Sequence, residues 1–317
     1  MSLHRPVLLL PLLSLLVIGC EQSVNSNSEG IEVYTEDINQ SAQLFSFTSG
    51  AFVSSYDLQF QAGNMTYLVA MNSAAGVIGQ KVTDVEFDIA ELPLQGWASD
   101  TSDYVIGDQW MDASTYNPTD HSIQTNGSLF FIRTLDYEWI KLMILSATPS
   151  QFNIKYAYQL NDSTFGSANE QTIAYSEMEP AYFEFTDGTT ISPQDWHFGL
   201  VTTPVYSPEV GSVFYMPSIL LNYEADVQVA ILKDQDFQSL KAVPDDVDWL
   251  QDTGDLRTLG YEEDNAVLVY HPEPPYNHKV IVEHPDYVYL FAVAGQYYKL
   301  QFRDYSSGIV LFEYQSL

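Results

Sequence analysis

Cysteine is nearly absent: among 317 residues only Cys20 carries a thiol. No intramolecular disulfide can form, and cysteine-ligated zinc is excluded. Basic residues are also scarce, with 11 Lys and Arg against 42 Asp and Glu, for a net charge of -31. Such a surface repels nucleic acid and the anionic face of a bilayer, so neither is expected as a partner. There is no apolar run of the roughly 20 residues a spanning helix needs. Enzyme signatures are missing too. No Gly-x-Ser-x-Gly, His-Glu-x-x-His or Walker-type loop occurs, and no enzymatic activity is expected. The acidic clusters Asp245-Asp246-Val247-Asp248 and Glu262-Glu263-Asp264 lack the Asp-x-Asn-x-Asp-Gly order of a calcium loop and read as solvated surface.

The N-terminus carries a short basic start, His4-Arg5, and an apolar stretch from Val7 to Ile18. That is the pattern of a secretory signal. It ends in Val17-Ile18-Gly19-Cys20, which resembles the bacterial lipobox, where lipid joins the cysteine and the chain is cut before it. The expectation is a signal peptide over 1–19, lipidation of Cys20, and a membrane contact made through the lipid alone. Glu21 after the cysteine favours the outer membrane, with the chain facing the periplasm or the cell surface. The polar stretch after Cys20 reads as a flexible tether over 20–31.

Landmarks then recur in order. Phe45-Ser-Phe47-Thr-Ser-Gly50 matches Phe183-Glu-Phe185-Thr-Asp-Gly188. Tyr56-Asp-Leu-Gln-Phe60 matches Trp196-His-Phe-Gly-Leu200. Phe87 with Pro93 matches Phe237 with Pro244. Trp97 with Asp100-Thr101 matches Trp249 with Asp252-Thr253. Tyr116, Pro118 and His121 match Tyr270, Pro272 and His278. Lys141-Leu142 matches Lys299-Leu300, and Tyr158-Gln159 matches Tyr314-Gln315. An ordered series of this kind indicates a repeated unit. Two domains are expected, 32–160 and 171–317, with a linker over 161–170.

Short alternating or apolar runs dominate both halves, as in Phe130–Thr134, Ile140–Leu145, Phe152–Tyr156, Tyr287–Val293, Tyr298–Phe302 and Ile309–Tyr314. The expected fold is mostly β: two tandem, similar antiparallel β domains with few short helices. Asp304–Gly308 reads as a hairpin turn. Asp234–Leu240 and Thr83–Leu92 are the best helical stretches.

These landmarks resemble the HmuY family of bacterial surface lipoproteins, whose known members bind haem. The resemblance lies in Phe183–Gly188 followed by Trp196–Leu200, in Phe237, Pro244, Asp252 and Thr253, in Tyr270, Pro272 and His278, and in the closing segment from Lys299. It covers nearly all of 181–317 and, more faintly, 44–159. It implies a mostly β fold, a lipid anchor and a haem site built from axial side chains. It also implies uptake partners: haem or another small ligand, and an outer-membrane transporter or haemoprotein. Family members differ in axial ligand, some using His and some Met. The sequence departs from the family where Trp-His-Phe-Gly-Leu replaces the usual Trp-Asp-apolar-Ala-Phe.

Haem iron takes His, Met, Cys or Tyr. His121 and His278 hold the same place in the two halves and are the axial candidates. A histidine there also serves the fold alone if it caps a turn or packs on the neighbouring Tyr and Pro. Met216, in the apolar segment Phe214–Pro217 read as a turn, and His271 are weaker alternatives. The other methionines, Met65 and Met178 among them, read as core filler. His271, His278 and His284 are spaced by seven and six, which fits no standard metal pattern, and no metal is expected. His197 lies where a strand is expected and is read as pointing to solvent.

Overall fold

The computed structural model describes residues 30–63, 66–160, 164–176 and 179–317. The signal peptide, Cys20, the tether up to residue 29, Met65, Met178 and linker residues 161–163 lie outside them. The fold is mostly β and antiparallel, as expected. The chain opens with β1 (Ile31–Tyr34), β2 (Gln43–Ser46) and β3 (Ala51–Val53). There follow β4 (Leu58–Gly63), β5 (Thr66–Met71), β6 (Ile78–Val82), β7 (Met111–Asn117), β8 (Ser122–Thr125), β9 (Leu129–Arg133), β10 (Trp139–Thr148) and β11 (Gln151–Tyr158). Next are β12 (Asn169–Ala174), β13 (Ala181–Glu184) and β14 (Thr189–Ile191). The last group is β15 (Phe198–Ser207), β16 (Ser212–Leu221), β17 (Gln228–Leu232), β18 (Leu268–His271), β19 (Lys279–Val282), β20 (Val288–Val293), β21 (Gln296–Ser306) and β22 (Ile309–Ser316).

The helical elements among the described residues are two 3₁₀ turns, Ser73–Ala75 and Tyr223–Ala225. The expected helices at Thr83–Leu92 and Asp234–Leu240 are turns. Each instead wraps one aromatic ring around a buried lysine. Lys299 Nζ donates to the carbonyls of Phe237 and Leu240 and sits 4.4 Å from the Phe237 ring centre, and Lys141 Nζ lies 4.8 Å from that of Phe87. A cation held over a ring and bonded to carbonyls can stay buried without a carboxylate partner.

The sheets form two lobes. The first joins β14-β13-β4-β5 to a larger sheet in which β12, β11, β10, β9 and β6 are successive neighbours, with β8-β7 beside β10. The second joins β3-β2-β15-β16 to β1-β22-β21-β20-β17, with β18-β19 as a separate hairpin. The strand order is the same in both. A bulge falls between Ile144 and Ser146 in β10 and between Phe302 and Asp304 in β21. Because of the second bulge, β21 runs on to Ser306. The expected turn at 304–308 shrinks to Ser307-Gly308, both at positive φ, as a tight two-residue hairpin requires.

The strand partners cross the expected bounds of 32–160 and 171–317. β1 pairs with β22, β2 with β15 and β3 with β2, so the chain start completes the second lobe. β12 pairs with β11, β13 with β4 and β14 with β13, so the middle of the chain completes the first. Core membership follows the pairing. Phe45 and Phe47 pack with Phe198, Phe291 and Phe312, whereas Phe183 and Phe185 pack with Phe60 and Tyr156. Burying one Phe ring contributes about 1.5–3 kcal/mol, so each pair of rings fixes its hairpin to its host lobe. Gly50 and Gly188 turn these hairpins at φ +67 and +61. An added Cβ would meet the hydroxyls of Tyr314 and Tyr156. Tyr314 faces Leu300 and Tyr156 faces Leu142, so Tyr156, and not the expected Tyr158, is the counterpart of Tyr314.

Candidate functional site

Each lobe carries a Tyr–His pair on a two-stranded hairpin. In the first, β7 and β8 flank a turn that ends at His121. The Tyr116 hydroxyl is bonded to His121 Nδ1, and the Tyr67 hydroxyl donates to the His121 carbonyl. In the second, β18 and β19 flank the loop 272–278, and the Tyr270 hydroxyl lies 2.6 Å from His278 Nδ1. His121 and His278 have φ of +56 and +62. A non-glycine residue is uncommon there, and the tyrosine bond helps hold it. Both histidines are exposed.

That arrangement has chemical content. When Nδ1–H donates to the tyrosine oxygen, the proton is fixed on Nδ1 and the lone pair of Nε2 is left for a metal. When the tyrosine hydroxyl donates instead, the proton sits on Nε2; in both cases the tyrosine orients the ring. Among the described residues no contact joins His121 to His278; each meets a tyrosine of its own hairpin.

The weaker alternatives lie elsewhere. Met216 sits within β16 opposite Thr203 and not in a turn; Phe214–Pro217 is continuous strand. The expected turn fails because β15 and β16 pair over all ten residues, with Pro217 accommodated inside the pairing. His271 closes β18, and its Nε2 lies 2.6 Å from Glu283 Oε2, so that nitrogen is engaged. His284 stacks on Tyr287 at 4.1 Å. No group of three or more metal-ligating side chains occurs among the described residues.

His197 does not face solvent. It is 4% exposed, and its Nδ1 accepts a 2.9 Å bond from the Phe47 N–H. Asp57 holds the matching place in the first lobe. Its two carboxylate oxygens accept 2.9 Å bonds from the N–H groups of Leu135 and Phe185. The backbone repeats the match: Asp57 N–H donates to the Phe183 carbonyl and His197 N–H to that of Phe45. The replacement of Asp by His in the Trp-His-Phe-Gly-Leu segment thus keeps an acceptor for the donated hairpin and removes a buried carboxylate. Burial drives Asp57 up to about 7 against the pull of its two N–H bonds, and burial lowers His197.

The Asp-Thr segments of the two halves meet where the lobes touch. Asp100 accepts from the N–H groups of Met71 and Val105 at 2.7 and 2.8 Å. Asp252 does the same for Leu221 and Thr258 at 2.8 and 2.7 Å. These acids pin loops. Between them lies an open polar cleft of about 370 Å³, walled by Thr101, Tyr104, Tyr223, Thr253 and Asp255. The backbone at Gly254 approaches so closely that an added Cβ would lie 2.8 Å from the Asp100 carbonyl.

The lobes are also bolted by Arg133, 2% exposed, which donates to the Thr202 carbonyl and hydroxyl. Its guanidinium lies 3.9 Å from the ring centre of Tyr137 and 4.7 Å from that of Tyr215. The sequence reading missed Asp57, His197 and Arg133 as structural pins. For the first two the signal was present, since each is a polar residue before an apolar strand at a matched landmark. Arg133 has no counterpart in the other half.

No known protein family, curated protein or solved structure matches this chain.

Proposed function

We propose that this chain is a lipid-anchored bacterial binding protein that captures haem or a related tetrapyrrole for uptake. In this reading Cys20 carries the lipid, the two lobes descend from one duplicated unit, and His278 and His121 are axial ligands. The outer membrane is the proposed location, with an uptake transporter or a haemoprotein as the protein partner. The observation that carries the reading is the Tyr–His pair built twice, each with an exposed histidine and a tyrosine on Nδ1. A haem ligand needs an oriented imidazole with a free Nε2 lone pair, and the tautomer that donates from Nδ1 to tyrosine supplies it.

The test is a haemin titration of the chain from residue 20 onward, carrying Cys20→Ser. This parent chain is expected to shift the Soret band and saturate. His278→Ala and His121→Ala are expected to remove or alter the low-spin spectrum, and Tyr270→Phe to weaken binding by about 10–100-fold, as loss of a ligand-orienting partner does. Absence of any shift in both oxidation states overturns the reading.

A second reading, a protein-interaction lipoprotein without haem, has its own observation. β15 and β16 run ten residues each, against six in β4 and β5. The longer hairpin presents Val210 and Phe214, 65% and 46% exposed. Loss of a co-purifying outer-membrane partner in Val210→Ser/Phe214→Ser, with no haemin shift in wild type, favours it.

A further inference from the structure

We infer that the hairpin β2–β3 is an acid-releasable strap, held on the second lobe by neutral His197 and let go when that imidazole takes a proton. The strap has a short hold on its host strand. Only Gln43, Leu44 and Phe45 pair with β15. Past Phe45, the two bonds to this segment both involve His197: its N–H donates to the Phe45 carbonyl, and its Nδ1 accepts from the Phe47 N–H. Phe47 is then stacked between His197 at 5.8 Å and Tyr298 at 4.6 Å.

Protonation of Nδ1 turns the acceptor into a donor and sets N–H against N–H at hydrogen-bond distance. Since His197 is nearly sealed from water, neither donor finds a substitute, and a buried donor without an acceptor costs about 1–3 kcal/mol. The surroundings offer little to hold an imidazolium. Strands β2, β3, β15 and β16 carry no charged residue, and the titratable groups beside Phe47 are the phenols of Tyr298 and Tyr314. Asp195, two residues before, is the one charge that favours the proton, and burial outweighs it. His197 is thus shifted below its ordinary value in the fold. Its contribution is present near neutrality and is lost as pH falls below about 6.5 toward the lowered value. Release uncovers Phe198, Phe291 and Phe312, the rings that Phe45 and Phe47 cover.

The first lobe supplies an internal control. Its hairpin β13–β14 is held by Asp57, where acid neutralises a buried carboxylate and so does not weaken the fold. The experiment is amide hydrogen exchange on the chain from residue 20 at about pH 7.5 and about pH 5, corrected for intrinsic rates. Protection across 44–52 is expected to fall about tenfold or more at the lower pH, the scale of one buried donor left without an acceptor, while that across 182–190 holds or rises. His197→Asn keeps a side-chain acceptor but does not titrate, and is expected to abolish the fall across 44–52. Equal change in both hairpins, or a drop that persists in His197→Asn, overturns the inference. Should the variant fail to fold, an NMR titration of wild type decides. The Phe47 amide shift must follow the His197 ring, and a Phe47 amide that stays put through that titration overturns it equally.

Discussion

The two lobes share a strand order but are finished from different places in the chain. The first is contiguous, because β12–β14 follow directly on β11 and fold back onto β4. The second takes its last three strands from the opposite end, so that Val33 pairs with Phe312. Closing so long a loop costs more entropy than a local return, although the cost grows only with the logarithm of loop length. The first lobe can therefore form as soon as its own segment is made, while the second waits for both chain ends. The same difference sets what each lobe loses when a segment is removed or a clamp is titrated.

The largest expected effect comes from deleting residues 30–53. This strips Val33, Phe45 and Phe47 from the second core, at about 3–5 kcal/mol for each Phe. That sum approaches the whole stability of a domain, about 5–15 kcal/mol. The deleted chain is expected to show a protease-sensitive 198–317 and a protected 58–191. A uniformly folded or uniformly unfolded product breaks the comparison.

Single rings come next. Phe47→Ala and Phe185→Ala are each expected to cost about 3–5 kcal/mol, read by hydrogen exchange in the lobe that hosts the ring. Phe47→Ala should weaken the lobe of Phe291, and Phe185→Ala the lobe of Phe60. If each weakens instead the lobe of its sequence neighbours, the exchange of hairpins is wrong.

Removing the bolt sharpens the comparison further. Arg133→Met leaves the buried Thr202 carbonyl without its partner, a loss of about 1–3 kcal/mol. Unfolding followed by calorimetry is expected to separate into two transitions, one per lobe. A single unaltered transition would show that Arg133 does not couple them.

The last effect concerns the acid clamp. Asp57 is raised to about 7 in the fold from an ordinary value near 3.8, so at intermediate pH the folded form holds a proton that the unfolded chain has released. Stability of the first lobe therefore falls as pH rises from about 4 to about 7, and Asp57→Asn is expected to flatten that slope. Lobe-resolved exchange against pH checks it. His197 gives the second lobe the reverse slope.

Much of this was legible in the sequence. Phe45 and Phe183, Asp100 and Asp252, Lys141 and Lys299, and the Tyr–His pairs recur because each does the same job twice. Six short runs identified as strands, from Phe130–Thr134 to Ile309–Tyr314, fall within or across observed strands, because period-two burial shows in composition. The exchange of hairpins was not legible. A half-chain whose first three strands serve the other lobe reads the same as one whose strands serve their own, since side-chain pattern fixes which face is buried and not which partner strand is used. The role of His197 was hidden by the same blindness, because its partner Phe47 is 150 residues away. As for the candidate haem site, the sequence placed both histidines in matched turns but could not show the tyrosines on their Nδ1 atoms.

The most direct measurement is disulfide trapping between β1 and its partner. On a Cys20→Ser background, the double variant Tyr34→Cys/Leu311→Cys alters facing residues of β1 and β22 and is expected to oxidise to a monomeric, intramolecular disulfide. A chain in which Tyr34→Cys instead bridges to Asn153→Cys in β11 would place the N-terminal strand on the first lobe and contradict the exchange.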